Sequence, residues 1–332
     1  MYDYLIFDTV NIGYMVFNNS QNHSQDEMKQ SVIKMSNKRI YKLFIREYLE
    51  TIEFLKKKFL KENGELIFLY DNYHSRAELK QIPQPLKESD SRKKYNAEYK
   101  AQRKSARAEF YNTLETLRYY FLIGDSNIHT VRIPRLEADD LVKPCLSSLR
   151  RKKPNSKVLL ATNDSDWCRY LDADTQYLPE IYKEPIGREK FIERWGYTPT
   201  EESVVLYKIL YGDDADNIKA VFPEFDSKLK KQIMDTFSSV EDFMYEAKNV
   251  PELKPYISLI TDKEKEKNIK VAYQLISAIP VSEAHFRQVF TTGRKSVIMK
   301  KQLTMIIFDQ QEEPVTKFTF GGIVPRFTPS GK

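Results

Sequence analysis

Cysteine, histidine and glycine are scarce in this sequence, which has 2 Cys, 4 His and 10 Gly among 332 residues. Cys145 falls within an apolar helical pattern and Cys168 follows a tryptophan, so the two thiols form no disulfide framework and no zinc-binding pair. The histidines are scattered and form no metal-binding motif. The sequence therefore argues against a disulfide-stabilised domain and against a zinc enzyme.

Long apolar runs are also missing. No run approaches the length that spans a membrane, and the first residues carry no basic, apolar export signal. We therefore expect a cytoplasmic protein without a membrane partner. Hydrophobic residues make up 41% of the chain, enough for one large domain or two smaller ones. The net charge of +6 is weak evidence for a polyanionic partner, because the distribution of charge matters more.

Three carboxylates, Glu137, Asp139 and Asp140, stand within four positions at the head of an apolar helical pattern that begins at Leu141. Acids are favoured at helix N-termini by the helix dipole, and this explains one or two of them. Three acids beside an apolar face repel one another unless a cation lies between them. This stretch taken alone leaves metal binding and helix capping equally open.

Short apolar runs alternate with helical patterns along the first half of the chain. The runs 4–7, 66–70, 130–133 and 158–161 predict strands, and helical periodicity is found over 40–60 and again from Phe110 to Phe121. This alternation predicts an α/β fold with a mostly parallel central sheet flanked by helices. The segment from 189 to 211 also looks helical with a break near 196–199, and a helix-rich region follows to about residue 290.

Each predicted strand is followed by acidic residues, directly or after a short loop. Asp is a common turn residue, which explains any single case but not all four strands. Because ligands bind beyond the carboxyl ends of parallel strands, we expect these acids to converge with the acidic loop after Gly212. The predicted metal ligands are Asp8, Asp71, Glu137, Asp139, Asp140, Asp164, Asp166, Asp213 and Asp216. Nine carboxylates without His or Cys favour Mg²⁺ or Mn²⁺, two of which can flank a phosphodiester.

A basic stretch between residues 87 and 107 has eight Lys or Arg and three acids. Tyrosines interleave with the cations, a pattern typical of contacts to single-stranded nucleic acid, although a solvated helix face is the usual explanation of a charge run. The predicted nucleic-acid contacts here are Arg92, Lys93, Lys94, Tyr95, Tyr99, Lys100, Arg103, Lys104 and Arg107. Lys219, Lys228, Lys230 and Lys231 are predicted to contact duplex DNA further along.

Six motifs in order resemble the flap endonuclease (5′-nuclease) superfamily, and most closely the ribonuclease H branch of T-even phages. They are Ile6-Phe7-Asp8, Tyr70-Asp71-Asn72, Tyr99-Lys100 with Arg103, Glu137-Ala138-Asp139-Asp140, Thr162-Asn163-Asp164-Ser165-Asp166, and Gly212-Asp213 with Asp216-Asn217-Ile218. The resemblance covers about residues 4–220. It implies a PIN-like domain with a helical arch and a helix-three-turn-helix element.

The resemblance also implies roles for individual residues. Asp8, Asp71, Glu137, Asp139 and Asp140 would hold a first Mg²⁺. Asp164, Asp166, Asp213 and Asp216 would hold that second Mg²⁺, and Mn²⁺ would substitute for either. Lys100 and Arg103 would contact the scissile phosphate as catalytic residues together with Asp140 and Asp166, and Tyr99 would stack on the terminal base.

Two features depart from the family pattern. No glycine lies between Lys219 and Lys228, so a hairpin that binds duplex DNA through potassium is not expected. In the tail, Gln302, Met305 and Phe308 faintly resemble a sliding-clamp peptide, but Asp309 replaces the second aromatic residue, and alternating strand residues explain them better.

The sequence therefore predicts a phage-encoded, monomeric 5′→3′ exonuclease and flap endonuclease that removes RNA primers and 5′ flaps during DNA replication. Its partners would be DNA and RNA–DNA duplexes with flaps, nicks or ends, with a replication single-strand-binding protein or sliding clamp as the protein partners to test. The predicted division is a catalytic domain over 1–200 with its arch at about 80–110, a helical DNA-binding region over 201–292 and an extension over 293–332. A junction-resolving or RNA-directed PIN-like nuclease, and a non-catalytic fork-binding protein, remain alternatives.

Overall fold

The computed structural model describes residues 1–18, 37–71, 95–96, 108–123, 126–133 and 136–293. Its centre is a six-stranded sheet built from β1 (Tyr2–Asp8), β2 (Leu60–Tyr70), β3 (Ile128–Arg132), β4 (Val158–Ala161), β5 (Thr175–Leu178) and β6 (Thr291–Thr292). The strand order is β5-β4-β1-β2-β3-β6, and all pairings are parallel except that of β3 with β6. The predicted α/β fold with a mostly parallel sheet is confirmed.

Helices flank this sheet and then form a region of their own. Residues 9–18 are helical (α1), and the other helices are α2 (Asn37–Phe59), α3 (Ala108–Leu122), α4 (Ala138–Lys152), α5 (Arg188–Trp195), α6 (Glu201–Tyr211), α7 (Ser227–Thr236), α8 (Val240–Glu246), α9 (Ile257–Ile260), α10 (Lys263–Ile276) and α11 (Glu283–Val289). A 3₁₀ helix, Ser165–Tyr170, follows β4. None of the helices in the described ranges is long and apolar enough to cross a bilayer.

The sheet is buried on both faces, which explains why its strands read as continuous apolar runs. Along β1, Leu5 and Phe7 pack into one core with residues of α2 and α3. The alternate residues Tyr4 and Ile6 pack into a second core with residues of α4. The side-chain period of two therefore separates two helical layers, and the polar ends of the strands stay at the sheet edge.

A third core belongs to the helical region between 205 and 276, where it brings together apolar residues of α6, α7, α8 and α10. The chain then returns to the sheet. Phe286 of α11 is fully buried in the core beneath α4, and β6 extends the sheet beyond β3. Residues 281–292, predicted as part of the helical region, therefore pack on the α/β layer, while the division into domains stays a prediction.

The predicted boundaries are close to those observed except at the start of β2. The strand predicted over 66–70 begins at Leu60, directly after α2, and its register with β1 shifts between Tyr2 and Tyr4. Sequence reasoning missed α1, β5 and β6. The strands predicted over 304–308 and 315–320 lie outside the described residues.

Candidate metal centre

The strand order changes direction at β1, because β2 and β3 continue on one side of it and β4 and β5 on the other. Such a switch point opens a crevice at the carboxyl ends of the strands. Asp8 is the last residue of β1, and Asp164 follows its neighbour β4 after two residues. The parallel register aligns Phe7 with Ala161, so the two acids leave the sheet at the same edge.

Asp8 is held rigidly at this edge. Its Oδ1 accepts a hydrogen bond from the Asn11 amide at 3.0 Å, and its Oδ2 accepts one from the Thr162 hydroxyl at 3.1 Å. Asn11 also accepts a hydrogen bond from the amide of Asn163 at 2.9 Å, which ties α1 to the loop after β4. These contacts fix the carboxylate without supplying a positive charge.

Asp8, Asp139 and Asp164 come together from three separate elements, with ligand oxygens within 4.8 Å of one another. Burial and then the nearby Asp71 and Asp139 raise the pKa of Asp8 well above its usual range. Burial and then Asp166 and Asp139 raise the pKa of Asp164 to about 8. Carboxylates that repel one another in this way fit a hard divalent cation with oxygen ligands, so the donor set suits Mg²⁺ or Mn²⁺.

The acids around the start of α4 have different surroundings. Asp71 Oδ1 accepts a hydrogen bond from the Ala138 amide at 2.8 Å, which caps the first turn of the helix. Asp140 is almost fully buried, and its two oxygens accept from the amides of Glu137 at 3.0 Å and Ile279 at 2.7 Å. Asp140 therefore links the helix start to the returning C-terminal segment. It does not belong to the three-carboxylate group, although sequence reasoning predicted it as a ligand of the first metal ion.

Asp166 and Asp213 lie beside two buried cations, Arg169 and Lys208. Asp166 forms an ion pair with Arg169 at 3.1 Å and another with Lys208. The same Lys208 ammonium lies 2.5 Å from Asp213 Oδ2. Burial disfavours the charge of Lys208, but Asp166 and Asp213 outweigh this effect and raise its pKa. Asp166 and Asp213 are therefore already neutralised by cations of the protein itself.

Gly212 shapes the loop that delivers Asp213 and Asp216. Its φ of 81° lies in the left-handed region, and a Cβ there would meet Ala220 N and Ile218 O at 2.9 Å. The tight turn lets Asp213 pair with Ile218 across an isolated β-bridge. Asp213 and Asp216 thereby line an open cleft of about 530 Å³ together with Asn11 and Asp164. The predicted end of the helix at residue 211 is confirmed, with Gly212 as its C-cap.

The predicted nucleic-acid contacts divide into two groups. Arg92, Lys93, Lys94, Tyr99, Lys100, Arg103, Lys104 and Arg107 lie outside the described residues. Tyr95 is described and 39% exposed. Lys219, Lys228 and Lys231 are exposed, and they follow the acidic loop in the sequence. The ammonium of Lys230 lies 5.2 Å from the centroid of the Tyr211 ring.

Sequence reasoning assigned no role to Lys208, Arg169, Thr162 and Asn11. A signal for Lys208 was present, because it is the one charged residue among apolar positions from Val204 to Leu210, five residues before Asp213. Lysine at a buried helix position needs an acidic partner, and the adjacent acidic loop offered several. The hydrogen bonds of Thr162 and Asn11 to Asp8 depend on the strand register, and no pattern in the sequence predicts them.

Comparison with known proteins agrees with the motif-based prediction. Residues 69–196 match the family model of the 5′-3′ exonuclease N-terminal resolvase-like domain. A 5′-3′ exonuclease of Mycoplasmopsis pulmonis is 25% identical over 145 residues, which are 43% of this chain and 46% of that protein. The chain thus spans about half the length of the curated relatives it matches. These matches confirm the predicted superfamily resemblance, and the closer likeness to T-even phages stays a prediction.

Solved structures show the same fold. A bacteriophage T5 protein co-crystallised with metal ions has 18% identity and a TM-score of 0.54, covering 92% of this chain and 97% of that one. A bacteriophage T5 flap endonuclease in a pseudo-enzyme-product complex with DNA and metal ions has 17% identity and a TM-score of 0.53, covering 92% and 97% respectively. At this identity the likeness establishes the architecture, and the chemistry must be argued from the residues of this chain.

Proposed function

We propose that this chain, whose residues 69–196 match the family model of the 5′-3′ exonuclease N-terminal resolvase-like domain, is a divalent-metal-dependent 5′-nuclease. The observation that carries the proposal is the group of Asp8, Asp139 and Asp164, which lies at the switch point of the sheet with its ligand oxygens within 4.8 Å. Such a group is costly to fold without a cation, and it fits the site that phosphodiester hydrolysis needs.

Asp8, Asp139 and Asp164 would hold a Mg²⁺ ion in this centre, and Mn²⁺ would substitute for it. Such an ion lowers the pKa of a bound water and stabilises charge that develops on phosphate oxygens. A second Mg²⁺ would draw on Asp213 and Asp216 across the cleft. The hydrogen bonds of Asn11 and Thr162 keep Asp8 in place during the reaction. No potassium-binding hairpin forms part of the proposal.

The substrate we propose is DNA or an RNA–DNA duplex with a 5′ flap, nick or end, cleaved from 5′ to 3′. Lys219, Lys228 and Lys231 offer exposed ammonium groups for duplex phosphates in the loop and helix that follow the acidic cleft. Lys100 and Arg103 would contact the scissile phosphate, as the superfamily resemblance implies. The solved complex of the phage T5 flap endonuclease with DNA and metal ions supports this substrate class. Removal of RNA primers and flaps during replication, in the cytoplasm of a phage host, is the setting that this activity would serve.

The test is cleavage of a 5′-flap DNA with Mg²⁺ by the wild-type chain and by Asp139→Asn, with Glu193→Gln on an exposed face of α5 as the control. Loss of a metal ligand removes several kcal/mol of transition-state stabilisation, so we expect a loss of at least about a hundredfold in rate. Glu193→Gln should cleave at the wild-type rate. An active wild type together with an equally active Asp139→Asn would refute the proposed centre.

The same assay separates the alternatives. A four-way junction and a single-stranded RNA included as further substrates would reveal a junction-resolving or RNA-directed nuclease if either were cut faster than the flap. Tight binding of the flap without Mg²⁺-dependent cleavage would identify a non-catalytic fork-binding protein.

A further inference from the structure

Lys208 is a buried cation beside the acidic cleft, where it pairs with Asp213. It belongs to α6, where its neighbours Val205, Leu206 and Ile209 are buried in the helical core, and only 7% of Lys208 is exposed. Its ammonium reaches out of this apolar helix to Asp166 and Asp213 together. Both acids belong to the set predicted to hold the second metal ion. The positive charge of Lys208 therefore occupies the position where the prediction places a metal ion.

The charges of the cleft are distributed unequally. Within the described residues, no lysine or arginine forms an ion pair with Asp8, Asp139 or Asp164, and these three remain in need of a cation. Asp166 has two cationic partners, Arg169 and Lys208, and Asp213 shares the second of them. A divalent ion added on the Asp166 side would meet an ammonium within ion-pair distance of the same oxygens, and like charges at such distances repel strongly in a buried site.

We propose that Lys208 is the resident cation of the second metal subsite, so that the protein free of nucleic acid holds one divalent ion and excludes a second while this ammonium stays in place. The proposal deepens the proposed function and rests on it, because it assumes that Asp8, Asp139 and Asp164 bind the first ion. It makes Lys208 a positioning residue that sets how many ions are loaded.

The side chain is suited to this task. A buried ion pair that served folding alone would be replaced by apolar residues at little cost, because desolvation offsets most of its attraction. The ammonium of lysine is a point charge on a flexible four-carbon stem, so it can leave Asp166 and Asp213 without disturbing the helix. Arg169 is fixed differently, since it donates to the carbonyls of Asp166 and Ile276, and it would continue to neutralise part of Asp166.

The experiment counts Mn²⁺ ions bound to the full chain without nucleic acid, from the electron paramagnetic resonance signal of free Mn²⁺. The variants are Lys208→Met, which keeps the length of the side chain and removes its charge, and Lys208→Arg, which keeps the charge. Lys265→Met is the matched control, because Lys265 is also a largely buried lysine paired with an acid, Glu224, in the same helical region. Thermal melting shows whether each variant is folded.

We expect one tightly bound ion in the wild type, in Lys208→Arg and in Lys265→Met. Lys208→Met should bind a second ion, with a dissociation constant at least about tenfold lower than that of the weak second site of the wild type. A folded Lys208→Met whose titration superimposes on that of the wild type would overturn the proposal. So would two ions of equal affinity in the wild type, a result that needs no variant.

Failure of the proposed function gives a different pattern. A wild type that neither binds Mn²⁺ nor cuts 5′-flap DNA removes both proposals. A wild type that binds Mn²⁺ and cuts, beside a Lys208→Met with unchanged ion binding, removes only the role of Lys208. If Lys208→Met does not fold, Lys208→Gln is measured in its place with the same expectation.

Discussion

The two halves of the acidic cleft differ in how the negative charge of their carboxylates is balanced. On one side Asp8, Asp139 and Asp164 converge with no described cation in ion-pair contact. Burial raises the pKa values of Asp8 and Asp164, and repulsion by neighbouring aspartates, Asp71 for the first and Asp166 for the second, raises them further. On the other side Asp166 and Asp213 are neutralised by Lys208, with Arg169 added for Asp166. The first half needs an external ion, whereas the second is complete without one.

This difference shows that acidic residues of one motif do not share one role. Asp139 and Asp140 are adjacent in the chain, yet only Asp139 joins the three-carboxylate group, while both oxygens of Asp140 accept main-chain amides. Asp164 and Asp166 are two residues apart, and they fall on opposite sides of the comparison. What separates them is whether a cation or an amide from a distant element reaches each carboxylate.

The largest predicted difference in stability is that between Asp166→Asn and Asp139→Asn, one from each half of the cleft, measured without metal. Asp166→Asn leaves Arg169 and Lys208 buried beside a neutral group, and we expect a loss of about 3 kcal/mol in the free energy of unfolding. Asp139→Asn relieves repulsion from Asp8 and Asp164 and keeps an oxygen that can accept from Trp167, so we expect a gain of about 1 kcal/mol. Urea unfolding in EDTA measures both. Changes of equal sign would break the comparison.

The second prediction compares Asp140 with Asp139 in stability and in affinity for Mn²⁺. An asparagine at 140 offers one acceptor oxygen where two amides, those of Glu137 and Ile279, now donate. We expect Asp140→Asn to lose about 2 kcal/mol of stability, because one buried amide is left unpaired. Its affinity for Mn²⁺ should change much less than that of Asp139→Asn, as measured by the same ion titration.

A surface acid provides the control for this second prediction. Asp242 is exposed and accepts a hydrogen bond from the Ser238 hydroxyl, so the unfolding curve of Asp242→Asn should superimpose on that of the wild type. An Asp140→Asn chain that unfolds like the wild type but loses Mn²⁺ would instead return Asp140 to the metal ligands, as the sequence motif predicted.

Much of the site follows from local patterns in the sequence. The apolar runs locate β1 and β4, and parallel pairing then requires Asp8 and Asp164 to leave the sheet at one edge. The helical period after Leu141 locates α4, so Asp139 had to lie in its first turn. These inferences use spacing along the chain and a general rule about parallel sheets, and they were sufficient for the three-carboxylate group.

The different roles of the nine acids could not be predicted from the sequence in the same way. Asp140 receives the amide of Ile279, and Asp166 receives the ammonium of Lys208, from elements far along the chain whose approach depends on tertiary packing. The short strand Thr175–Leu178 has polar residues at two of four positions and gave no apolar run to detect. Contacts over long sequence separations carry no periodic signal, so sequence reasoning treated all nine acids alike.

The smallest predicted effect is the pH dependence of stability without metal. Folding raises the pKa of Asp164 to about 8 through burial and then Asp166, and the folded state therefore binds its proton more tightly than the unfolded chain does. This stabilisation is complete below the usual aspartate pKa and is lost as the pH rises toward about 8. From pH 5.5 to 6.5 in EDTA we expect Asp164 to account for a loss of about 1.4 kcal/mol, or about 2 °C in melting temperature. Saturating Mg²⁺ replaces the proton with a metal ion and should remove the decline, whereas Lys208 and Arg169 keep their charge over this range and contribute no slope. A melting temperature that rises with pH in EDTA would show that Asp164 is ionised in the free protein and that the two halves of the cleft are electrostatically alike.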